Sequence, residues 1–173
     1  MEIEFQTEEE FEICKTMFPT YESRSKIPKD SLVVGRYSCL PFYKELEEDI
    51  IFNNSKLINS YRQFRYIADM SNWYLDFSDI TPQTYFRLED VPKNKGPYIL
   101  KGETNSKKYF WKEMMYAENF KEAGEVYSRL QRDGLIGNQN IYIRDYVPLK
   151  TFDIDHSGLP ITEEYRFFFC KGK

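Results

Sequence analysis

Fourteen Tyr, fourteen Phe and two Trp among 173 residues set the terms on which this chain can fold. Hydrophobic residues make up only 41% of the chain and charged residues 30%. Each aromatic side chain, however, buries about 150–250 Å² on folding, so the rings supply most of the buriable area. That area suffices for a packed core, and the composition is not that of a disordered chain. The length suits one domain, or two small subdomains sharing a cleft. Apolar residues fall in short runs, none approaching the ~20 residues of a membrane span. The N-terminal MEIEFQTEEEFE has neither the basic nor the apolar region of a signal peptide. A soluble, cytoplasmic protein with no membrane partner is expected.

Charge and rare residues exclude several functions. With 24 Lys+Arg against 28 Asp+Glu the net charge is −4, which argues against nucleic acid as a partner except through a local basic patch. Cys14, Cys39 and Cys170 are too few and too scattered for a disulfide framework or a zinc site. A single histidine, His156, rules out a His-rich metal centre, and no metal ligand can be assigned.

The order of elements reads as mixed α/β. Glu8 to Met17 predicts a helix with Thr7 as cap and Phe11, Cys14 and Met17 on one face. Ser31 to Arg36 is a compact run with β-branched residues, expected to be a buried strand. Pro41 opens a helix continued by Phe42, Leu46 and Ile50, and a further helix covers Asn59 to Met70, with Tyr61, Phe64 and Ala68 inward and Arg62 and Arg65 on another face. Pro and Gly bracket charges over Asp90 to Pro97, predicting a junction between an N-terminal α/β subdomain, residues 1–89, and a second subdomain, residues 90–173. Tyr98 to Lys101 reads as a strand. Phe120 to Asp133 reads as a helix capped by Asn119 with Glu122, with Phe120, Ala123, Tyr127 and Leu130 buried and Gly134 as its stop. Asn140 to Val147 is a strand, and Thr151–Asp155 with Ile161–Cys170 a hairpin turning at Ser157-Gly158.

Three segments could carry chemistry. Lys101-Gly-Glu-Thr-Asn-Ser-Lys-Lys108 places a lysine at a strand end before a small polar loop. Loop N–H groups and ammonium charges there suit an anion such as phosphate; the alternative is a solvated turn with surface lysines. It is not a Walker loop, nor a K-x-D-G motif, since Glu103 and Thr104 stand where Asp and Gly would be needed. In Asn140 to Leu149, alternation runs to Arg144, and Pro148 then ends regular pairing. Backbone groups of Asp145, Tyr146 and Val147 freed at such a hinge could read a flat base, or the segment is an ordinary strand leaving a sheet. In Glu163 to Cys170, Arg166 sits beside Phe167 and Phe169 and needs a carboxylate or phosphate partner. A salt bridge to Glu164 or Asp153 would be the structural solution, and Arg36 is open to the same two readings. The run Lys101, Lys107, Lys108 and Lys112 with Tyr109, Phe110 and Trp111 would fit single-stranded nucleic acid, against the overall acidity.

In this order, GRYSCLPFYKEL, LINSYRQFRYIADM, GPYILKGETNSKK, EVYSRLQRDGLIGNQNIYIRDYVPL and LPITEEYRFFF resemble the ATP-grasp superfamily, most of all its short, often phage-encoded members. The resemblance covers most of the chain from Ser31 onward. It implies an ATP-grasp-like fold: a small N-terminal α/β subdomain followed by a nucleotide-binding subdomain. It implies that Lys101 holds the phosphates of ATP and that Gly102, Thr104, Asn105 and Ser106 close over them. The backbone of Arg144, Asp145, Tyr146 and Val147 would meet adenine, and Arg166 would stand near the γ-phosphate as the catalytic arginine. Arg65, or else Arg62, would add an earlier basic contact to phosphate, with Arg36 as a further basic candidate beside the resemblance. Such proteins activate a carboxylate as an acyl phosphate for attack by an amine, with Mg²⁺ and Lys/Arg neutralising charge.

Members of that superfamily place an acidic residue and an E-x-N strand after the arginine strand to hold Mg²⁺; here only Phe167 to Lys173 follow Arg166. The expectation is a chain truncated at its C-terminal part, incomplete for catalysis alone, whose Mg²⁺ ligands are not identifiable. Three readings stand open: a fragment, one half of a split gene completed by another chain, or a shortened binding derivative; a second polypeptide or another copy could pair through the C-terminal strand. The alternative is a non-catalytic interaction protein built on the same scaffold.

Overall fold

Ala68 ends a helix and opens a second unit: the chain divides into Met1–Ile67 and Ala68–Lys173. The computed structural model describes residues 8–35 and 42–165. Thr7, Arg36, Cys39, Pro41 and Arg166, and the Phe167–Cys170 end of the expected hairpin, lie outside the described residues. The observed class is mixed α/β, with helices and three small sheets among the described residues.

The first unit contains α1 (Glu8–Met17), β1 (Leu32–Val33), α2 (Tyr43–Phe52), β2 (Lys56–Leu57) and α3 (Tyr61–Ala68). The helical spacing of Leu46 and Ile50 puts both on the buried side of α2, where with Ile27, Tyr43 and Leu57 they form a core. Phe64 of α3 stacks on Tyr43 at 4.0 Å between ring centroids. β1 and β2 pair in parallel, Leu32 opposite Lys56 and Val33 opposite Leu57. The strand expected to be buried is not: Leu32 is 67% exposed and Val34 58%. Side chains alternate across a strand, so a pair covered on one face leaves Val33 half-buried and its neighbours exposed. The helix expected to run to Met70 stops at Ala68, because Asp69 is extended (φ −95°, ψ 114°) and Met70 belongs to a cluster with Tyr74 and Tyr142.

The second unit comprises α4 (Met70–Trp73), β3 (Thr84–Tyr85), β4 (Tyr98–Gly102), α5 (Trp111–Met114), β5 (Tyr116–Ala117), α6 (Phe120–Gln131), β6 (Ile141–Asp145), β7 (Thr151–Ile154) and β8 (Pro160–Thr162). β3, β6, β4 and β5, in that order, form an antiparallel sheet. Tyr98, Leu100, Ile141 and Ile143 face one way and meet Ala123, Val126 and Leu130 of α6 in the main core. Val91 lies in that same core, so the Asp90–Pro97 segment falls inside the second unit.

Helix α6 starts where its capping residues predict. The Asn119 side chain accepts from the Glu122 N–H at 3.1 Å, and the Glu122 carboxylate accepts from the Glu118 N–H at 3.0 Å. It ends two residues earlier than expected. The Asp133 carboxylate gathers the N–H groups of Leu135 and Ile136, and Gly137 donates to the Asp133 carbonyl at 2.8 Å. Gly137 is therefore the glycine that closes this turn: a Cβ there would lie 2.5 Å from the Gln131 carbonyl oxygen, whereas one on Gly134 would meet nothing within 4 Å. The β7–β8 hairpin turns as the sequence predicts, with Asp155 accepting from the Ser157 and Leu159 N–H groups and Gly158 at φ +83°, where a side chain would be strained.

Candidate functional site

The face of the sheet opposite α6 is where cations gather. Strand alternation puts Ile99 and Lys101 of β4 on it with Tyr142 and Arg144 of β6, Lys101 pairing across from Tyr142 and Ile99 across from Arg144. Thr84 lies on the far side of Arg144 and Tyr116 on the far side of Ile99. Tyr142 is buried in a cluster with Met70 and Tyr74, and Phe86 sets its ring edge-on at 5.1 Å.

Arg144 is held by neutral groups. Its Nη2 donates to Thr81 Oγ1 at 2.6 Å and its Nε to Thr84 Oγ1 at 3.1 Å; the Thr84 hydroxyl passes its own proton to the Pro82 carbonyl at 3.0 Å. A guanidinium carries five N–H donors, so most remain for a ligand. No carboxylate pairs with Arg144 or Lys101 among the described residues. Burial pushes Lys101 below the ordinary lysine value, and the charges of Arg144 and Lys108 push it the same way. Burial also lowers Arg144. Two partly buried cations on one face, neither paired with a carboxylate, would suit an anion, because desolvation and like charge disfavour both until a negative group arrives.

Glu103, on the same strand face one step past Lys101, is already engaged. It accepts from Ser71 Oγ at 2.9 Å, Tyr142 OH at 2.7 Å and Asn140 Nδ2 at 3.0 Å. Burial, then the bond to Glu103, pushes the Tyr142 phenol up to about 12. No group of three or more His, Cys, Asp or Glu gathers among the described residues. The Glu103 oxygens thus already serve three donors of the protein.

The polar loop after Lys101 is tied down by a side chain sequence reading missed. Gln139 Oε1 accepts from both the N–H and the hydroxyl of Thr104, at 3.1 and 3.2 Å, and Asn105 donates to the Thr104 hydroxyl at 3.0 Å. A Cβ at Gly102 would lie 2.8 Å from that same Gln139 oxygen. Ser106 is exposed. Lys107 pairs with Asp133 at 2.7 Å, which takes it out of a basic patch with Lys108 and Lys112.

At the hinge, the Asp145 N–H donates to the Gln83 carbonyl at 2.9 Å and the Tyr146 N–H to the Pro97 carbonyl at 3.0 Å. Both groups are thus engaged within the sheet; Val147 is exposed. The Asp145 side chain lies on the face away from Lys101 and Arg144, in an ion pair with Lys95. Tyr146 meets Tyr116 edge-on at 5.5 Å, and Trp111 stacks on Tyr116 at 6.0 Å. Burial, then the bond to Glu118, raises the Tyr116 phenol to about 12.

Arg65 is an exposed residue of α3, in the first unit. That unit has its own cavity of about 590 Å³, lined by Phe18, Tyr21, Arg24, Ile27, Leu46 and the β1 segment among others. The structure thus brings together Lys101 and Arg144 of the expected residues, and adds Thr81, Thr84 and Gln139, for which the sequence carried no local signal. No helix among the described residues is long and apolar enough to cross a membrane.

Comparison of the chain with protein-family models, with curated proteins and with solved structures gives no match.

Proposed function

We propose that the chain binds ATP in the manner of the ATP-grasp proteins it resembles, and that it derives from carboxylate–amine ligases working through an acyl phosphate. In this reading the phosphates lie on the face that carries Lys101 and Arg144, with the backbone around Val147 beside the base. The observation that carries it is the placement of two partly buried cations on adjacent strands and one face, neither in an ion pair among the described residues. Arg144 suits the task by its rigid fork of donors, and Lys101 supplies a movable point charge. The role of Arg144 here is that of a side chain on phosphate, beyond the hinge backbone that the resemblance alone implies.

Titration calorimetry with ATP, with and without Mg²⁺, tests the reading. Saturable binding to the unaltered chain, lost in both Lys101→Ala and Arg144→Gln, is the expected result. Undiminished affinity in Lys101→Ala would overturn it.

A second reading, a non-catalytic interaction protein, draws on one observation: β7 and β8 leave Phe152, Ile154 and Ile161 exposed. Isolated two-stranded hairpins are marginal in water, so a partner chain covering those residues would stabilise it.

A further inference from the structure

Lys101 combines two features that favour the neutral, nucleophilic form of a lysine. It is partly buried among Ile99, Tyr142 and Arg144 on one sheet face, and the charged groups acting on it, Arg144 and Lys108, are both cations. Three other lysines of this unit are matched to acids, Lys95 to Asp145, Lys107 to Asp133 and Lys150 to Glu163. A desolvated lysine beside a second cation keeps more of its amine neutral, and the neutral amine is the nucleophile. Arg144 stands diagonally across the strand pair, a separation of about 7–8 Å between backbones that long side chains bridge. Its guanidinium is fixed by Thr81 and Thr84 and has donors left for a phosphate.

We infer that Lys101 is a site of acylation by acyl phosphates, with Arg144 docking the phosphoryl group and Lys101 Nζ attacking the adjoining carbonyl carbon. A C–N bond forms and the C–O bond to phosphate breaks. The departing phosphate carries off the proton released by the amine, so the products are an amide and hydrogen phosphate. No oxidant, reductant or further reactant is needed. The amide has no charge. On the nucleotide reading above, on which this consequence alone rests, acylation removes one of the two cations that hold the triphosphate and so switches binding off.

The experiment incubates the full chain with acetyl phosphate at neutral pH and follows acetylation of every lysine by peptide mass spectrometry. Lys101 is expected to react several-fold faster than exposed Lys121 of α6, because Arg144 docks the phosphoryl group beside it. Arg144→Gln should remove the advantage. Excess inorganic phosphate added to the unaltered chain, which avoids any folding defect, should slow Lys101 without slowing Lys121. A Lys101 rate at or below that of Lys121, or one indifferent to inorganic phosphate, overturns the inference. ATP binding is measured separately on unacetylated chain. Normal ATP binding with an unreactive Lys101 overturns the acylation inference only. Fast, phosphate-sensitive acetylation without ATP binding supports it and overturns the nucleotide reading.

Discussion

Lys101 and Arg144 share one sheet face on adjacent antiparallel strands, Lys101 opposite Tyr142 and Arg144 opposite Ile99, so the two cations are diagonal neighbours. Neither pairs with a carboxylate among the described residues. A like-charge pair of this kind costs stability, and an anion bound beside it would relieve that cost and stabilise the fold.

Thr81 fixes the guanidinium from a position remote in sequence, through a 2.6 Å bond to Nη2. Hydrogen bonds to charged groups contribute about 1.5–3 kcal/mol. Thr81→Val keeps the shape and removes the acceptor, so anion affinity is expected to fall about tenfold or more, while the far-ultraviolet circular dichroism spectrum stays unchanged. Titration with ATP or inorganic pyrophosphate measures this; unchanged affinity would show that Arg144 needs no such support.

The pair Lys107–Asp133 sets an acid limit on the second unit. The Lys107 ammonium, followed by the Ile136 and Leu135 N–H groups, holds the Asp133 carboxyl below its ordinary value in the folded chain. Between that depressed value and the ordinary one, the unfolded chain binds more protons, so stability rises with pH. The contribution is complete above the ordinary carboxylate range and disappears as the pH falls through the folded value. Urea midpoints taken from neutral to acidic pH should therefore decline more steeply for the unaltered chain than for Asp133→Asn.

Two glycines in one turn should respond oppositely to alanine. At Gly137 the new Cβ would press on the carbonyl oxygens of Gln131 and Asp133, at 2.5 and 2.8 Å. Backbone atoms yield little, and overpacking of this kind costs about 1–3 kcal/mol. At Gly134 the Cβ enters open space, and the reduced freedom of the unfolded chain stabilises by about 0.4–1 kcal/mol where the backbone suits alanine. Denaturant midpoints of Gly137→Ala and Gly134→Ala, measured side by side, check both signs.

Much of the fold is legible because its signals are local. The Phe11, Cys14 and Met17 spacing marks α1, and Leu46 with Ile50 marks the buried side of α2. Asn119 with Glu122 marks the start of α6, and Ser157-Gly158 marks a turn whose Gly158 is at φ +83°. The misreadings share a cause. The Leu32 run looks buried only if covered on both faces, and Gly134 looks like the helix stop only while Gly137 is unseen against Gln131.

The sequence by itself determined the mixed α/β class, most element positions and a lysine at the head of a polar loop, because periodicity, capping and turn chemistry act between near neighbours. The tertiary structure alone decided that Arg144 joins Lys101, that Asp145 turns away to Lys95, and that Thr81, Thr84 and Gln139 hold the site. Those placements depend on strand register and on hydroxyl and amide contacts between distant segments, and a register shift of one residue would reverse every one of these faces.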